Sequence, residues 1–242
     1  MIDLNNDIIE TIEKIEKEKK TWTEIKSNDS WSIFKIMGEL VTGFENMAKI
    51  GPCVSVFGSA RTKEDNKYYQ LAAETGKLLT NCGFGVITGG GPGIMEAANK
   101  GASELGRGKS VGCNIKLEFE QHANMYIDHD KVITFDYFFV RKLMFMKYSQ
   151  GFIVFPGGFG TFDELFEAIT LIQTHKSKRF PIILMGTEYW EGLFKWIKEF
   201  MFEKEHNIAE KDFELINIVD SPEEAVKIIE DYYLTAKLNP NF

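Results

Sequence analysis

The sequence predicts an α/β fold, a doubly wound and mostly parallel sheet with helices on both faces, preceded by an N-terminal helical extension. Two observations lead to this prediction. From Cys53 onward, short apolar runs typical of buried strands alternate with segments of helical periodicity. Two of the apolar runs lead directly into glycine clusters. Regular strand-helix alternation is typical of a Rossmann-like sheet, whose ligand crevice lies at the carboxyl ends of its strands.

Residues 1–50 differ in pattern from residues 51–242 and are predicted to be a separate helical extension. Ile8, Ile12 and Ile15 recur at helical spacing before the charged segment from Glu16 to Lys20. Asn28–Ser30 are good capping residues and predict the start of a second helix. One face of that helix carries Trp31, Phe34, Met37, Val41 and Phe44. We interpret this face as packing on the core or on a partner subunit.

The main domain is predicted to begin after Gly51-Pro52 and to contain seven strands. The strands are expected at Val54–Phe57, Phe84–Thr88, Val111–Ile115, Val132–Phe135, Phe152–Phe155, Ile182–Met185 and Ile216–Val219. The helices are expected at Tyr68–Asn81, Gly93–Leu105, Phe138–Tyr148, Thr161–Gln173 and Tyr189–His206, with a last helix capped by Ser221. A longer connection with turns is expected from Lys116 to Asp130.

Composition excludes several classes of protein. The 242 residues are 44% hydrophobic, which is ample for a core, and the formal net charge of -8 argues against a general nucleic-acid or membrane-surface binder. No apolar run approaches the roughly 18 residues of a membrane span. Cys53, Cys82 and Cys113 are far apart and odd in number, as expected of reduced thiols in a cytoplasmic, soluble and unprocessed protein. The histidines lack any metal-ligand spacing, so no metal site is predicted.

The segment from Pro156 to Glu164 is the strongest functional signal. It combines a strand-ending proline, three glycines that let the backbone approach a ligand, and a threonine that is predicted to open a helix. Free amides at that helix start favour an anion, and Glu164 is expected in its first turn. Thr161-x-x-Glu164 also fits a capping box, in which the glutamate bonds back to the N-cap amide. A capping box does not require the preceding glycines.

A second glycine cluster, Gly89–Gly93, follows another predicted strand, so two loops are expected to hold one ligand. Neither cluster is a dinucleotide fingerprint, since G-x-G-x-x-G would need glycine at Ile94 or at Asp163. No cofactor is therefore predicted. Arg141 lies beyond the strand Val132–Phe135 and is suited to hold phosphate, ribose or a carboxylate, while a helix-surface salt bridge is an equal alternative. For Arg61 a solvated position is favoured.

Gly89–Met95, the pair Arg141-Lys142 and Pro156–Glu164 together resemble the LONELY GUY family of nucleotide phosphoribohydrolases. The resemblance extends from about residue 30 to the C-terminus. Within the family, the sequence resembles the longer-chain bacterial branch. It implies hydrolysis of the N-glycosidic bond of AMP, or of N6-substituted (cytokinin) AMP, to a free base and ribose 5-phosphate. The family is often labelled a possible lysine decarboxylase, but the sequence singles out neither a Schiff-base lysine nor a pyridine partner.

The resemblance assigns catalysis to Glu164 and Arg141. Glu164 is expected to stabilise an oxocarbenium-like state and to activate water. Arg141 is expected to keep Glu164 ionised by lowering its pKa. The residues assigned to the substrate are Gly58, Ser59, Gly90, Gly91, Gly93, Met95, Asn114, Lys142, Pro156, Gly157, Gly158, Gly160, Thr161 and Glu167. For Met95, packing is an alternative, and for Glu167 a surface position.

Two rival functions stay open at this stage. Related sheets also serve as non-catalytic nucleotide or cofactor carriers, and a structural subunit would neither bind nor turn over a nucleotide. The apolar face of residues 31–47 and the helix Phe138–Tyr148 predict at least a homodimer, with burial in the core as the competing explanation.

Overall fold

The computed structural model describes residues 8, 9, 11, 22–106, 109–117 and 122–242. Ile12, Ile15 and the charged segment from Glu16 to Lys20 lie outside the described residues. The chain divides into two compact units, Met1–Val41 and Thr42–Phe242.

Helix α1 spans Trp22–Met47. The prediction that a helix begins after Asn28–Ser30 is wrong, because the helix passes through these residues without a break. Asn, Asp and Ser are preferred at helix starts, but each costs little inside a helix, and a stretch without glycine or proline can continue through them. Within the first unit, the apolar side chains of Trp31, Phe34 and Met37 are exposed.

The second unit is built on seven parallel strands in the order β4-β3-β2-β1-β5-β6-β7, which confirms the predicted fold class. Their bounds are β1 Cys53–Phe57, β2 Gly85–Thr88, β3 Ser110–Ile115, β4 Val132–Phe135, β5 Ser149–Val154, β6 Ile182–Met185 and β7 Ile216–Val219. Every residue of the central strands β1 and β5 is buried, as expected of strands covered on both faces, and this includes the polar residues Ser55, Ser149 and Gln150.

The helices between the strands are α2 Lys67–Asn81, α3 Ile94–Ser103, α4 Phe138–Tyr148, α5 Phe159–Gln173, α6 Thr187–Trp196 and α7 Pro222–Tyr233. The single helix predicted over Tyr189–His206 is instead α6 followed by a π-helix, Ile197–Lys204. Short 3₁₀ turns occur at His129–Lys131 and Glu210–Leu215. In the described ranges, none of the helices is both long enough and apolar enough to cross a membrane.

The strand order reverses between β1 and β5, which is the topological switch point of the sheet. Backbone pairing continues past the ends of these strands. The Phe155 amide donates to the Phe57 carbonyl at 2.8 Å, and the Ser59 amide donates to the Pro156 carbonyl at 3.0 Å. The loops that follow β1 and β5 therefore lie side by side at the carboxyl edge, where this class of sheet binds its ligands.

Candidate active site

A cleft of about 880 Å³ opens at the switch point. Of the residues that the sequence assigns to the site, those that line it are Gly58, Ser59, Met95, Arg141, Pro156, Gly157, Gly158, Gly160, Thr161 and Glu164. Those that do not line it are Gly90, Gly91, Gly93, Asn114, Lys142 and Glu167. The motif after β5 thus contributes most of one wall, and the loop after β1 contributes the facing part.

Helix α5 begins at Phe159, with Gly158 as its N-cap, and not at Thr161 as predicted. Thr161 is already helical, because its amide donates to the Gly158 carbonyl at 3.0 Å. The alternative of a capping box with Thr161 as N-cap is therefore wrong, and Glu164 lies in the second turn, not in the first as predicted. Glycine and phenylalanine at the first helical positions are tolerated here, so the threonine does not mark the helix start.

The turn before α5 depends on glycine at position 157. A Cβ atom built there would lie 2.1 Å from Oγ1 of Thr161, so only glycine permits this close approach. Gly158 and Gly160 are exposed, and Cβ atoms at these positions would meet open space. Tyr189 donates its hydroxyl to the Gly157 carbonyl at 2.6 Å and so holds the turn from the side of α6.

The start of α5 is suited to bind an anion. The first amides of a helix have no intrahelical acceptor, and no side chain caps this helix. The helix dipole adds a partial positive charge at the same place. Because Gly158, Phe159 and Gly160 all line the cleft, a phosphate group in it meets these amides directly.

Glu164 is buried at the inner end of the cleft, with 4% of its surface exposed. Its Oε1 lies 4.0 Å from Nη2 of Arg141, and its Oε2 lies 3.8 Å from Nζ of Lys142. Burial raises the pKa of Glu164 to about 7, against the lowering effect of Lys142 and Arg141. Arg141 does lower this pKa, as expected, but desolvation of the carboxylate outweighs both cations, so the net shift is upward and Glu164 is not held fully ionised.

Arg141 projects from α4 into the cleft and is largely buried. Its guanidinium lies over the ring of Phe138, at 4.8 Å from the centroid. Burial lowers its pKa, while Glu164 raises it. Within the described part of the chain, its Nε has no hydrogen-bond partner. The alternative of a helix-surface salt bridge does not describe this arrangement, in which a buried cation faces a buried carboxyl group.

The glycine loop after β2 lies mostly behind the lining of the cleft. Gly90 and Gly91 are buried, and their carbonyls accept from Nδ2 of Asn124 at 3.3 and 3.1 Å. Gly93 has a φ of +69° and lies against the loop after β1. The amide of the next residue, Ile94, donates to the Ser59 carbonyl in that loop at 3.1 Å. This loop therefore supports the wall of the cleft from behind.

Asn114 also lies behind the cleft. Its Oδ1 occupies the space that a Cβ atom on Gly90 would need, since the two positions are 1.6 Å apart. Only Gly89 of this glycine cluster lines the cleft itself.

Several lining residues were missed by sequence reasoning. They are Thr62, Asn66, Tyr68, Phe145 and Tyr189, among others, whereas Arg61, Gly89 and Phe159 lie in segments that the sequence already indicates. Arg61 is exposed, as predicted, but it also lines the cleft. Arg61 and Tyr189 each follow a strand by about four residues, and that position at the carboxyl edge is the signal that was available.

The family described as "Possible lysine decarboxylase" matches residues 95–229, which is more than half of the chain. A cytokinin riboside 5'-monophosphate phosphoribohydrolase of Mycobacterium tuberculosis is 34% identical over 132 residues, which cover 53% of this chain and 68% of the relative. The Arabidopsis thaliana enzyme of the same name, LOG1, is 28% identical over 198 residues, covering 74% of this chain and 82% of the relative.

Among solved structures, the molybdenum cofactor binding protein of Rippkaea orientalis is similar, with a TM-score of 0.56 and 20% identity over 76% of this chain and 98% of that one. At this identity the likeness concerns the fold alone. The description "Possible lysine decarboxylase" is the one attached to the LONELY GUY family. Because that family model matches more than half of the chain and the mycobacterial relative is 34% identical, the chain belongs to the LONELY GUY family.

Proposed function

We propose that this protein is a nucleoside 5'-monophosphate phosphoribohydrolase. It cleaves the N-glycosidic bond of AMP, or of N6-substituted (cytokinin) AMP, and releases the free base and ribose 5-phosphate. The names of the mycobacterial and plant relatives support this activity. The observation that carries it is a buried carboxyl group, Glu164, that opens onto the same cleft as an uncapped helix start.

The 5'-phosphate of the substrate binds at the amino terminus of α5. The amides of Phe159 and Gly160 and the dipole of the helix stabilise its negative charge. Gly158 and Gly160 leave this surface open, so the phosphate oxygens approach the backbone closely. Binding there places the ribose deeper in the cleft, toward Glu164.

Glu164 carries the chemistry at the anomeric carbon. As the bond from C1' to the base nitrogen breaks, positive charge develops on the ribose, and the carboxylate stabilises it. A water molecule then forms the new bond to C1' and gives a proton to Glu164. The departing base nitrogen takes a proton from solvent, and Glu164 afterwards returns its proton to solvent, so the enzyme is regenerated and no net proton is consumed. A pKa of about 7 suits a general base at neutral pH, since the group accepts a proton without being fully protonated beforehand.

Arg141 holds the substrate beside this carboxylate. With its Nη2 4.0 Å from Glu164, the guanidinium is placed to donate to a ribose hydroxyl or to the phosphate while it stabilises the ionised acid. Binding of the substrate gives the guanidinium the partners that its Nε lacks among the described residues. The scheme uses no cofactor and no metal ion.

We further propose that residues 51–242 form the catalytic domain of a cytoplasmic protein that binds no nucleic acid and is at least a homodimer. The exposed side chains of Phe138 and Phe139 beside the cleft support subunit contacts. Light scattering coupled to size-exclusion chromatography measures the oligomeric state, and a monomer at all concentrations would contradict the dimer.

Incubation with AMP and with an N6-substituted AMP, followed by chromatography of the free base, tests the activity. We expect stoichiometric base and ribose 5-phosphate from at least one nucleotide. Isothermal calorimetry in parallel distinguishes a carrier, because heat of binding without any base released would favour the non-catalytic alternative.

A further inference from the structure

Lys142 lies outside the cleft, although it neighbours Arg141 in the sequence. Its side chain is largely buried, and its ammonium group is surrounded by three carboxylates of α5. Nζ lies 2.8 Å from Oδ2 of Asp163 and 2.7 Å from Oε2 of Glu167, both within hydrogen-bond distance. Its distance to Oε2 of Glu164 is 3.8 Å, which is too long for a hydrogen bond.

The geometry points to a positioning role for Lys142, in which Asp163 and Glu167 hold its ammonium group back from Glu164. This inference rests on the proposed function, since it concerns the carboxyl group that we assign to catalysis. Helical spacing explains the arrangement, because residues three and four apart lie on one face and Asp163, Glu164 and Glu167 therefore meet the same cation. The carboxylates of Asp163 and Glu167 accept hydrogen bonds from the ammonium group, and Glu164 interacts with it only through longer-range electrostatics.

The consequence concerns the protonation of Glu164. A cation that bonded directly to Oε2 would lower the pKa of the carboxyl group by about 1 to 3, and the group would then be a weak base at neutral pH. Removal of the cation would leave a buried carboxyl group beside two further anions and would raise its pKa. The observed distance of 3.8 Å between Nζ of Lys142 and Oε2 keeps the pKa of Glu164 between these limits. Among the described residues, Oε2 has no hydrogen-bond partner.

Other charged groups around Glu164 do not replace Lys142. From α4, Arg141 faces the opposite oxygen, Oε1. From β3, Cys113 lies behind Arg141, but burial raises the pKa of its thiol to about 12, so it is uncharged at neutral pH. Arg61 lines the cleft from the loop after β1 and is exposed, so solvent screens it. The group of Lys142, Asp163 and Glu167 is therefore the part of the site that acts on Oε2.

Carbon-13 NMR of protein labelled at glutamate side-chain carboxyls tests this inference directly, with the Glu164 signal assigned by its loss in Glu164→Gln. Glu167→Gln removes an anion and frees Lys142 to approach Oε2, so the pKa of Glu164 should fall by at least about 0.5. Lys142→Met should raise that pKa by about 1 or more. Glu203→Gln, a charge-matched change at an exposed residue of the π-helix, should leave it in place.

Opposite shifts in the two variants support the positioning role. An unchanged pKa in Glu167→Gln, or a lowered one in Lys142→Met, overturns it. Glu167 is at the surface edge of the group, so its variant provides the test even if Lys142→Met does not fold. The pH dependence of AMP hydrolysis separates the two proposals: if the pKa of Glu164 moves as expected and the rate profile does not follow, the catalytic assignment fails and the role of Lys142 stands.

Discussion

Replacement of Glu164 by glutamine should abolish most of the activity and yet stabilise the protein at alkaline pH. A buried group with a raised pKa binds its proton more tightly in the folded state than in the unfolded one. Its contribution to stability is therefore fully present below the unfolded pKa and is lost as the pH rises through the folded pKa. For Glu164 this window extends from the ordinary value of 4.5 to about 7.

The size of the effect follows from the two pKa values. Each pKa unit corresponds to about 1.4 kcal/mol, so the ionised carboxylate costs the folded protein up to about 3 kcal/mol at alkaline pH. Part of this cost is already present at about pH 5, where the unfolded chain is mostly ionised. Between about pH 5 and about pH 8.5, the advantage of Glu164→Gln over the native protein should grow by about 2 to 3 kcal/mol.

Urea unfolding of both proteins at the two pH values measures this difference, because every other titrating group is shared and largely cancels. The same variant should lose about 100-fold or more in kcat for base release from AMP, the usual contribution of a general base. In the native protein, kcat/KM should rise with pH up to about 7 and then level off, as Glu164 ionises.

Two results would refute this reasoning. A stability difference that does not change with pH would mean that Glu164 has an ordinary pKa in the folded protein and that its burial has little electrostatic cost. Full activity in a folded Glu164→Gln protein would remove the carboxylate from the chemistry altogether. Glu203→Gln, at an exposed position, serves as the control and should change neither quantity.

Three further variants probe the walls of the cleft. Arg141→Lys keeps the charge but loses the planar fork, so kcat/KM should fall at least about tenfold, and a native value would show that only the charge matters. Gly157→Ala places a Cβ atom 2.1 Å from Oγ1 of Thr161, so KM for AMP should rise about tenfold. The control is Gly192→Ala on α6, where a Cβ atom meets open space and KM should stay unchanged. Tyr189→Phe removes the hydrogen bond from the tyrosine hydroxyl to the Gly157 carbonyl and should raise KM for AMP a few-fold. An AMP affinity that calorimetry finds unchanged would show that Tyr189 does not hold the glycine turn in its binding geometry.

The strands could be predicted from the sequence because most of them are short apolar runs, and burial on both faces requires such runs. Strand β5 is an instructive exception at its start. It begins at Ser149, not Phe152, because Ser149 and Gln150 are buried despite their polarity. The hydroxyl of Ser149 is 2.5 Å from that of Ser55 on the neighbouring strand. Such a pair is satisfied only in three dimensions, so composition alone could not indicate it.

The geometry of the candidate site differs from the prediction at the start of α5. Thr161 has the chemistry of an N-cap, and a local rule therefore places the helix start there. In the structure the helix begins two residues earlier, so Glu164 moves from the first turn to a buried position in the second. Its raised pKa follows from that burial, which is a property of the folded structure and is not encoded in the motif itself.

The two glycine clusters illustrate why a motif needs its surroundings before it can be assigned a role. After β5, Gly158 and Gly160 are exposed and their missing side chains leave room for a ligand. After β2, Gly90 and Gly93 are buried at positive φ, and their missing side chains leave room for Asn114 and for the backbone of the β1 loop. Substitution in the first cluster should therefore act on the affinity for AMP, whereas substitution in the second should act first on folding and only through it on the site.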